Sequence, residues 1–236
     1  MRKTVILPLL LAIGAIGAEE IQGLKEATTP VEETSTTTWR KFWQPRFRKK
    51  LEQARTQGKK IDIVLCGDSI THNWDGMRQY NETFQGHTVL NLGFGGDRTG
   101  HTLWIIQNQE LWKHLDPKLV VLLIGTNNIP RHSPEAIIEG IRLCLEGLKK
   151  RAPHAKIVLF AIFPRGKDKT FPMRAKIDRV NACIAKFADG KTVFFENINA
   201  DMMNPDGTID KTMRPDCLHP SDEGYRVWGN ALKKYL

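Results

Sequence analysis

The stretch Ile61-Asp62-Ile63-Val64-Leu65-Cys66-Gly67-Asp68-Ser69 is a short apolar run that stops at a glycine and a polar turn. A run of this length and β-branched content predicts a strand buried on both faces. Two more follow it: Thr88-Val89-Leu90-Asn91-Leu92 stops at Gly93, and Leu119-Val120-Val121-Leu122-Leu123-Ile124 stops at Gly125. Between these two lies a helical segment over 99–108. After the third, Ser133-Pro134-Glu135 opens a helix that runs to about Arg151, with Ser as cap and Pro in the first turn. Ile137, Ile138, Ile141, Leu145 and Leu148 recur along it at helical spacing. A fourth strand over 156–160, a helix over 174–188, a fifth strand over 192–195 and a closing helix over 221–235 complete the pattern. Strand alternating with helix predicts a parallel sheet covered on both faces, a three-layer α/β domain.

Ligands of such sheets sit beyond the carboxyl ends of the strands. Ser69 follows the first strand, Gly95-Gly96-Asp97 the second and Gly125-Thr126-Asn127-Asn128 the third, so all three fall at one edge. A serine hydroxyl is a poor nucleophile unless a base lies within hydrogen-bond reach. Of seven histidines, His219 alone has a carboxylate, Asp216, three residues before it in an evident loop. The pattern therefore nominates Ser69 as nucleophile, His219 as base and Asp216 as the group orienting that base. The backbone amides of Ser69 and Gly96 and the side-chain amide of Asn127 are the candidate oxyanion donors. Asp68, Asp97 and Asn128 are expected to brace these turns. Trp74, Met77, Arg98, Arg165 and Leu218 are candidates for the pocket mouth, with core packing the competing role for Trp74 and Met77. A phosphate loop fits worse, because no Gly-Lys-Ser/Thr follows the glycines. Cys217, between Asp216 and His219, would need a base of its own to act as a nucleophile.

The chain has 236 residues, 41% hydrophobic and 26% charged, enough for one sizeable core. Met1-Arg2-Lys3, an apolar stretch from Val5 to Ile16 and then Gly17-Ala18-Glu19 have the layout of a secretory signal peptide over residues 1–18. The apolar stretch is shorter than the roughly 20 residues a spanning helix needs, so no stable membrane insertion is expected. The protein is thus expected to be secreted or periplasmic. Residues 19–38 are rich in Thr and Glu, with few large apolar groups, and read as a flexible leader before a domain over 39–236. Losing Arg2 and Lys3 lowers the formal charge from +9 to about +7, so the basic balance survives processing. It is spread over segments such as Arg46-Phe47-Arg48-Lys49-Lys50 and Lys149-Lys150-Arg151 that look like solvated helix faces. No zinc-finger spacing or RNA-binding aromatic signature points to nucleic acid. Cys66, Cys144, Cys183 and Cys217 are widely spaced, and free thiols are the default.

At Gly67-Asp68-Ser69, Gly96, Asn127 and the pair Asp216 and His219, the chain resembles the SGNH, or GDSL, hydrolase family. Asn91-Leu92-Gly93-Phe94-Gly95-Gly96-Asp97, Gly125-Thr126-Asn127-Asn128 and Phe163-Pro164-Arg165-Gly166 are most similar to its platelet-activating-factor-acetylhydrolase branch and the bacterial relatives of that branch. The resemblance covers roughly residues 60–236. It implies a flavodoxin-like sheet of five parallel strands, a shallow site without metal or cofactor, hydrolysis of short acyl esters, and a monomer or homodimer. Ile70 departs from the Leu of the family signature, and the export signal departs from the cytoplasmic animal enzymes. The expected function is an exported serine esterase removing short acyl groups, acetyl foremost, from small-molecule or glycan esters, with carbohydrate esters preferred. The alternative is a lysophospholipase or acetylhydrolase acting on lipid esters. A catalytically idle glycan-binding domain is the third reading.

Overall fold

Each of the five apolar runs becomes a strand: β1 (Ile63–Gly67), β2 (Val89–Gly93), β3 (Leu119–Leu123), β4 (Lys156–Phe160) and β5 (Val193–Glu196). All pair in parallel, in the order β2-β1-β3-β4-β5. The computed structural model describes residues 21–37 and 39–236; the expected signal peptide over 1–18 lies outside them. The helices are α1 (Leu24–Thr28), α2 (Trp43–Gln57), α3 (Ser69–Asn73), α4 (Arg78–Thr83), α5 (Thr99–Gln107), α6 (Gln109–Trp112), α7 (Pro134–Arg151), α8 (Met173–Ile184) and α9 (Asp222–Leu232). Successive strand residues point to opposite faces. Val64, Cys66, Leu90, Val120 and Leu122 pack with α2, α5, α7 and α8, whereas Ile63, Leu65, Val121 and Phe160 pack with α3 and α9. The expected three layers and five parallel strands are both present.

Order β2-β1-β3 makes β1 the point where the winding reverses, and the crevice for a ligand opens there. Of the two roles open to Trp74, pocket mouth and core packing, the structure shows core packing. Its ring is fully buried and stacked on Trp228 at 4.3 Å, and Met77 packs against the same cluster, because the turn after α3 points back under the sheet. Cys66, Cys144, Cys183 and Cys217 are free thiols.

The flexible leader expected over 19–38 is corrected by the structure, which packs residues 21–37 onto the domain. The reading rested on the scarcity of large apolar side chains, but here the backbone makes the attachment. Thr99 Oγ1 donates to the Ala27 carbonyl at 2.8 Å, the Val31 amide to Gly100 O at 3.1 Å and the Ser133 amide to Gln22 O at 2.9 Å. Ala27 is fully buried. A Cβ on Gly140 would stand 2.6 Å from the Ala27 carbonyl, so the close approach of α1 to α7 depends on that glycine. Glu26 reaches His132 at 3.2 Å, and His132 meets Asn128 at 2.9 Å, which ties the strap to the turn after β3.

Two further histidines hold turns at the sheet edge as neutral acceptors. His72 Nδ1 accepts from the Gly95 amide at 3.2 Å and His101 Nδ1 from the Arg98 amide at 3.1 Å. Burial, reinforced by nearby arginines, lowers their pKa values to about 4 and about 3.

In the unfolded chain both rings take up protons near pH 6.5, so between that pH and about 4 the unfolded state binds more protons than the native one. The stability these rings contribute is therefore present above pH 6.5 and lost as the pH falls toward 4. Between pH 6.5 and 4 the urea midpoint of His72→Gln should rise relative to that of wild type as the pH falls; parallel curves would contradict the assignment. Gly140→Ala would strengthen an isolated helix by about 1 kcal/mol, yet here the added methyl displaces the strap. Amide exchange in residues 22–31 should rise at least about tenfold while the β3 amides stay protected.

Candidate active site

Ser69 is the first residue of α3, directly after β1. Asp68 caps that helix, its carboxylate accepting from the Ile70 amide at 2.9 Å, as expected of a turn brace. Burial raises the Asp68 carboxyl to about 7, against the pull of Arg165. Ser69 Oγ lies 2.9 Å from His219 Nε2, and His219 Nδ1 lies 2.7 Å from Asp216 Oδ2. With Nδ1 donating to the carboxylate, Nε2 is left to accept from the serine hydroxyl.

The loop carrying this pair is shaped by its own backbone. Asp216 Oδ1 accepts from the Leu218 amide at 2.9 Å and from the His219 amide at 2.7 Å, which requires a tight reversal at Cys217. Cys217 sits at φ 59°, the one non-glycine residue with positive φ among the described residues. Burial pulls the Asp216 carboxyl upward, but its hydrogen bonds with the His219 ring and with the two amides leave it below the ordinary range. Arg214, with no exposed surface, clamps the loop by donating to the carbonyls of Leu218 and Pro164. Burial lowers its pKa to about 10.

The candidate donors converge from the other two strands. Gly96 follows β2 at φ 79°, a conformation glycine adopts without strain. The neighbouring Gly95 amide is engaged by His72, and Asp97 N donates to Phe94 O, which leaves the Gly96 amide between two anchored residues. One hydrogen of the Asn127 side-chain amide goes to the Asp97 carbonyl at 2.9 Å, so its second hydrogen is directed by the first. Asn128 Oδ1 accepts from the Thr99 amide at 3.1 Å and its Nδ2 donates to Thr99 Oγ1 at 3.0 Å. Asp97 and Asn128 thus each hydrogen-bond across the turns that carry Gly96 and Asn127.

Asp97 is fully buried and reveals partners that sequence reading missed. Its carboxylate accepts from Trp43 Nε1 at 2.9 Å and from Arg40 at 3.1 Å, and Arg40 pairs in turn with Glu33. Burial pushes the Asp97 carboxyl well up, and the Trp43 and Arg40 bonds oppose that shift. Trp39 stands beside Gly96 with 62% of its surface exposed. The aromatic and basic run after Trp39 was the available signal, but its charges read only as a solvated helix face.

Ser69, Gly96, Asn127 and His219 open into one shallow cavity of about 560 Å³, whose rim includes Trp39, Arg98, Arg131, Arg165 and Leu218. Arg98, Arg165 and Leu218 therefore reach the mouth as expected, and Trp74 and Met77 do not. Among the described residues no cluster of His, Cys, Asp and Glu is arranged to hold a metal ion. Nor is any helix among them long and apolar enough to cross a membrane.

The sequence profile of the GDSL-like Lipase/Acylhydrolase family matches residues 65–227. The chain is 34% identical over 184 residues to platelet-activating factor acetylhydrolase IB subunit alpha1 of Bos taurus, covering 78% of each protein. Its fold is shared with a GDSL-like lipase from Bacteroides thetaiotaomicron at a TM-score of 0.65 and 20% identity, over 80% of this chain and 98% of that one. It is shared also with an acetyl xylan esterase at a TM-score of 0.63 and 18% identity, over 75% and 100% of the two chains. A match across most of the folded domain, which takes in the serine at the sheet's switch point, makes the chain a member of the GDSL/SGNH hydrolase family and a serine-type ester hydrolase.

Proposed function

We propose that the chain is a short-acyl ester hydrolase of the platelet-activating-factor acetylhydrolase type, with Ser69, His219 and Asp216 as its triad. The observation that carries the reading is the unbroken contact from Ser69 Oγ through the His219 ring to Asp216, at 2.9 and 2.7 Å, beside Gly96 and Asn127. Ser69 Oγ attacks the ester carbonyl while His219 Nε2 takes its proton. The carbonyl oxygen gathers negative charge and is met by the Ser69 and Gly96 amides and Asn127 Nδ2. His219 returns the proton to the departing alcohol. Water, activated by the same ring, then releases the acid from Ser69. Asp216 keeps the ring in the tautomer both steps need.

The relatives' acetylhydrolase name supports an acetyl or similarly short acyl group and a lipid-type alcohol, above the carbohydrate ester that the sequence alone suggested. The carbohydrate preference rested on export, and the segment read as a signal lies outside the described residues. The similarity to an acetyl xylan esterase is one of fold and does not restore it. Export itself is retained as part of the proposal, on the sequence of residues 1–18.

Ser69→Ala should lower kcat for a nitrophenyl acetate by about 10⁴-fold or more and abolish fluorophosphonate labelling, with the circular dichroism spectrum unchanged. Asp216→Asn should keep measurable turnover. Equal rates in wild type and Ser69→Ala would remove the mechanism, and a wild type that neither labels nor releases acetate would favour an idle binding domain.

Asn127→Ala should reduce kcat by about 10²- to 10³-fold with little change in KM, because its bond to the oxygen strengthens in the transition state. A pure KM effect would place Asn127 in ground-state binding instead. Rates that climb with acyl length across a nitrophenyl ester series would contradict the short-acyl assignment.

A further inference from the structure

Of the strap over 21–37, one residue lines the Ser69 cavity: Glu33. It is buried, whereas the other acidic groups of the strap, Glu26 and Glu32, stand in solvent. Its carboxylate is fully engaged. Oε1 accepts from the Ser35 amide at 2.7 Å, and Oε2 pairs with Arg40 Nε and faces His101 Nε2 at 3.6 Å. The Glu33 carbonyl accepts from Gln44 Nε2 at 2.7 Å, which fixes the backbone beneath the carboxylate. Arg40 is in turn held at two points of its planar guanidinium, by Glu33 at Nε and by Asp97 at Nη2, the latter at 3.1 Å. Its third nitrogen covers Gly96. A Cβ built on Gly96 would stand 2.5 Å from Arg40 Nη1 and 2.7 Å from the Trp39 ring. One guanidinium thus touches both residues of the turn that carries a proposed oxyanion donor. The Asp97 carbonyl accepts from Asn127 Nδ2 at 2.9 Å, so Glu33, Arg40, Asp97 and Asn127 form one chain of contacts from the strap to the donors.

Resting on the hydrolase reading, we propose that Glu33 is a positioning residue for the oxyanion donors, acting through Arg40, and that the strap thereby forms part of the active site. Glu33 takes no proton and makes no bond to the oxyanion. With both carboxylates in place, the guanidinium plane is fixed against Gly96. With Glu33 made neutral, the bond to Asp97 is the one charged contact left, and the plane turns about it, moving Nη1 off Gly96. A buried cation that loses a partner is also under-compensated, which favours that turn toward the open cavity. Trp43 still holds Asp97, so the β2 turn shifts and does not unfold. Oxyanion donors act by being in place before charge develops, so a small displacement lowers kcat and leaves ground-state binding nearly as it was.

The test uses the full chain with nitrophenyl acetate. In Glu33→Gln, close in size and uncharged, kcat should fall about tenfold with KM within about twofold, because the donors are displaced and not removed. A trifluoromethyl ketone, whose adduct with Ser69 carries a charged tetrahedral oxygen, should bind more weakly by the same factor. Placed in Asn127→Ala, Glu33→Gln should cost about threefold or less, since part of its path to the oxygen is already gone. Arg40→Lys, which keeps the charge and loses the planar fork, should repeat the Glu33→Gln profile. Circular dichroism and urea midpoints report whether each variant is folded; should Glu33→Gln not fold, Arg40→Lys carries the same comparison. An unchanged kcat, a loss confined to KM, or an equal cost in the wild-type and Asn127→Ala backgrounds would leave Glu33 a structural role alone and overturn the proposal while the hydrolase reading stands. A wild type that releases no nitrophenol and does not label with a fluorophosphonate would overturn both.

Discussion

Gly67 at the end of β1 is paired with Gly93 of β2 on one side and with Leu123 of β3 on the other. Three chains therefore leave the sheet level with one another, and whatever follows each strand is delivered to the same few ångströms of surface. Parallel register is the constraint from which the site follows. It needs no long-range design to bring Ser69, Gly96 and Asn127 together, because the backbone hydrogen bonds of the sheet do so. Only His219 must come from elsewhere, and its loop is accordingly the most elaborately held: a reversal at Cys217, a carboxylate folded onto two amides, and a buried arginine beneath.

A second layer of constraint fixes the donors once they have arrived. Oxyanion stabilisation is effective when the donors are rigid before charge develops. Here each donor turn is tied to something behind it. The turn after β2 is held through Asp97 by Trp43 and Arg40, and through Gly95 by His72. The turn after β3 is held through Asn128 by Thr99 and His132. Asn127 joins the two turns by its bond to the Asp97 carbonyl. Burying Asp97, Asn128, Arg214 and the histidines costs desolvation free energy, which their hydrogen bonds offset in part.

What could be read in the sequence was what depends on local pattern and strand order. The apolar runs marked all five strands to within one or two residues, and the Ser133-Pro134 start of α7 was legible because capping is local chemistry. The position of Ser69, Gly96 and Asn127 at one edge followed from topology alone. What could not be read was long-range partnership between polar groups. Nothing near Arg40, Trp43 or Arg214 says that their partners lie at Asp97 and Leu218. The strap over 21–37 was misread for a related reason: its attachment is made by main-chain carbonyls and amides, which every residue carries and no composition reveals. Trp74 was ambiguous because a strand-end aromatic serves equally as a wall or as core, and its stacking on Trp228 decided the matter.

The family profile spans residues 65–227, whereas the partners of Asp97 lie at Arg40 and Trp43, and of the two rings stacked on Trp74 the nearer, Trp228, lies just outside it. The profile thus outlines a unit smaller than the one that packs together. A fragment cut at the profile's borders would keep every residue of the proposed triad and every proposed oxyanion donor. Yet it would leave a buried carboxylate without its donors and a tryptophan facing a void. For this protein the packed domain begins well before the profile does. The turn that carries Gly96 and Asp97 is thus held in place by a segment that the profile does not include.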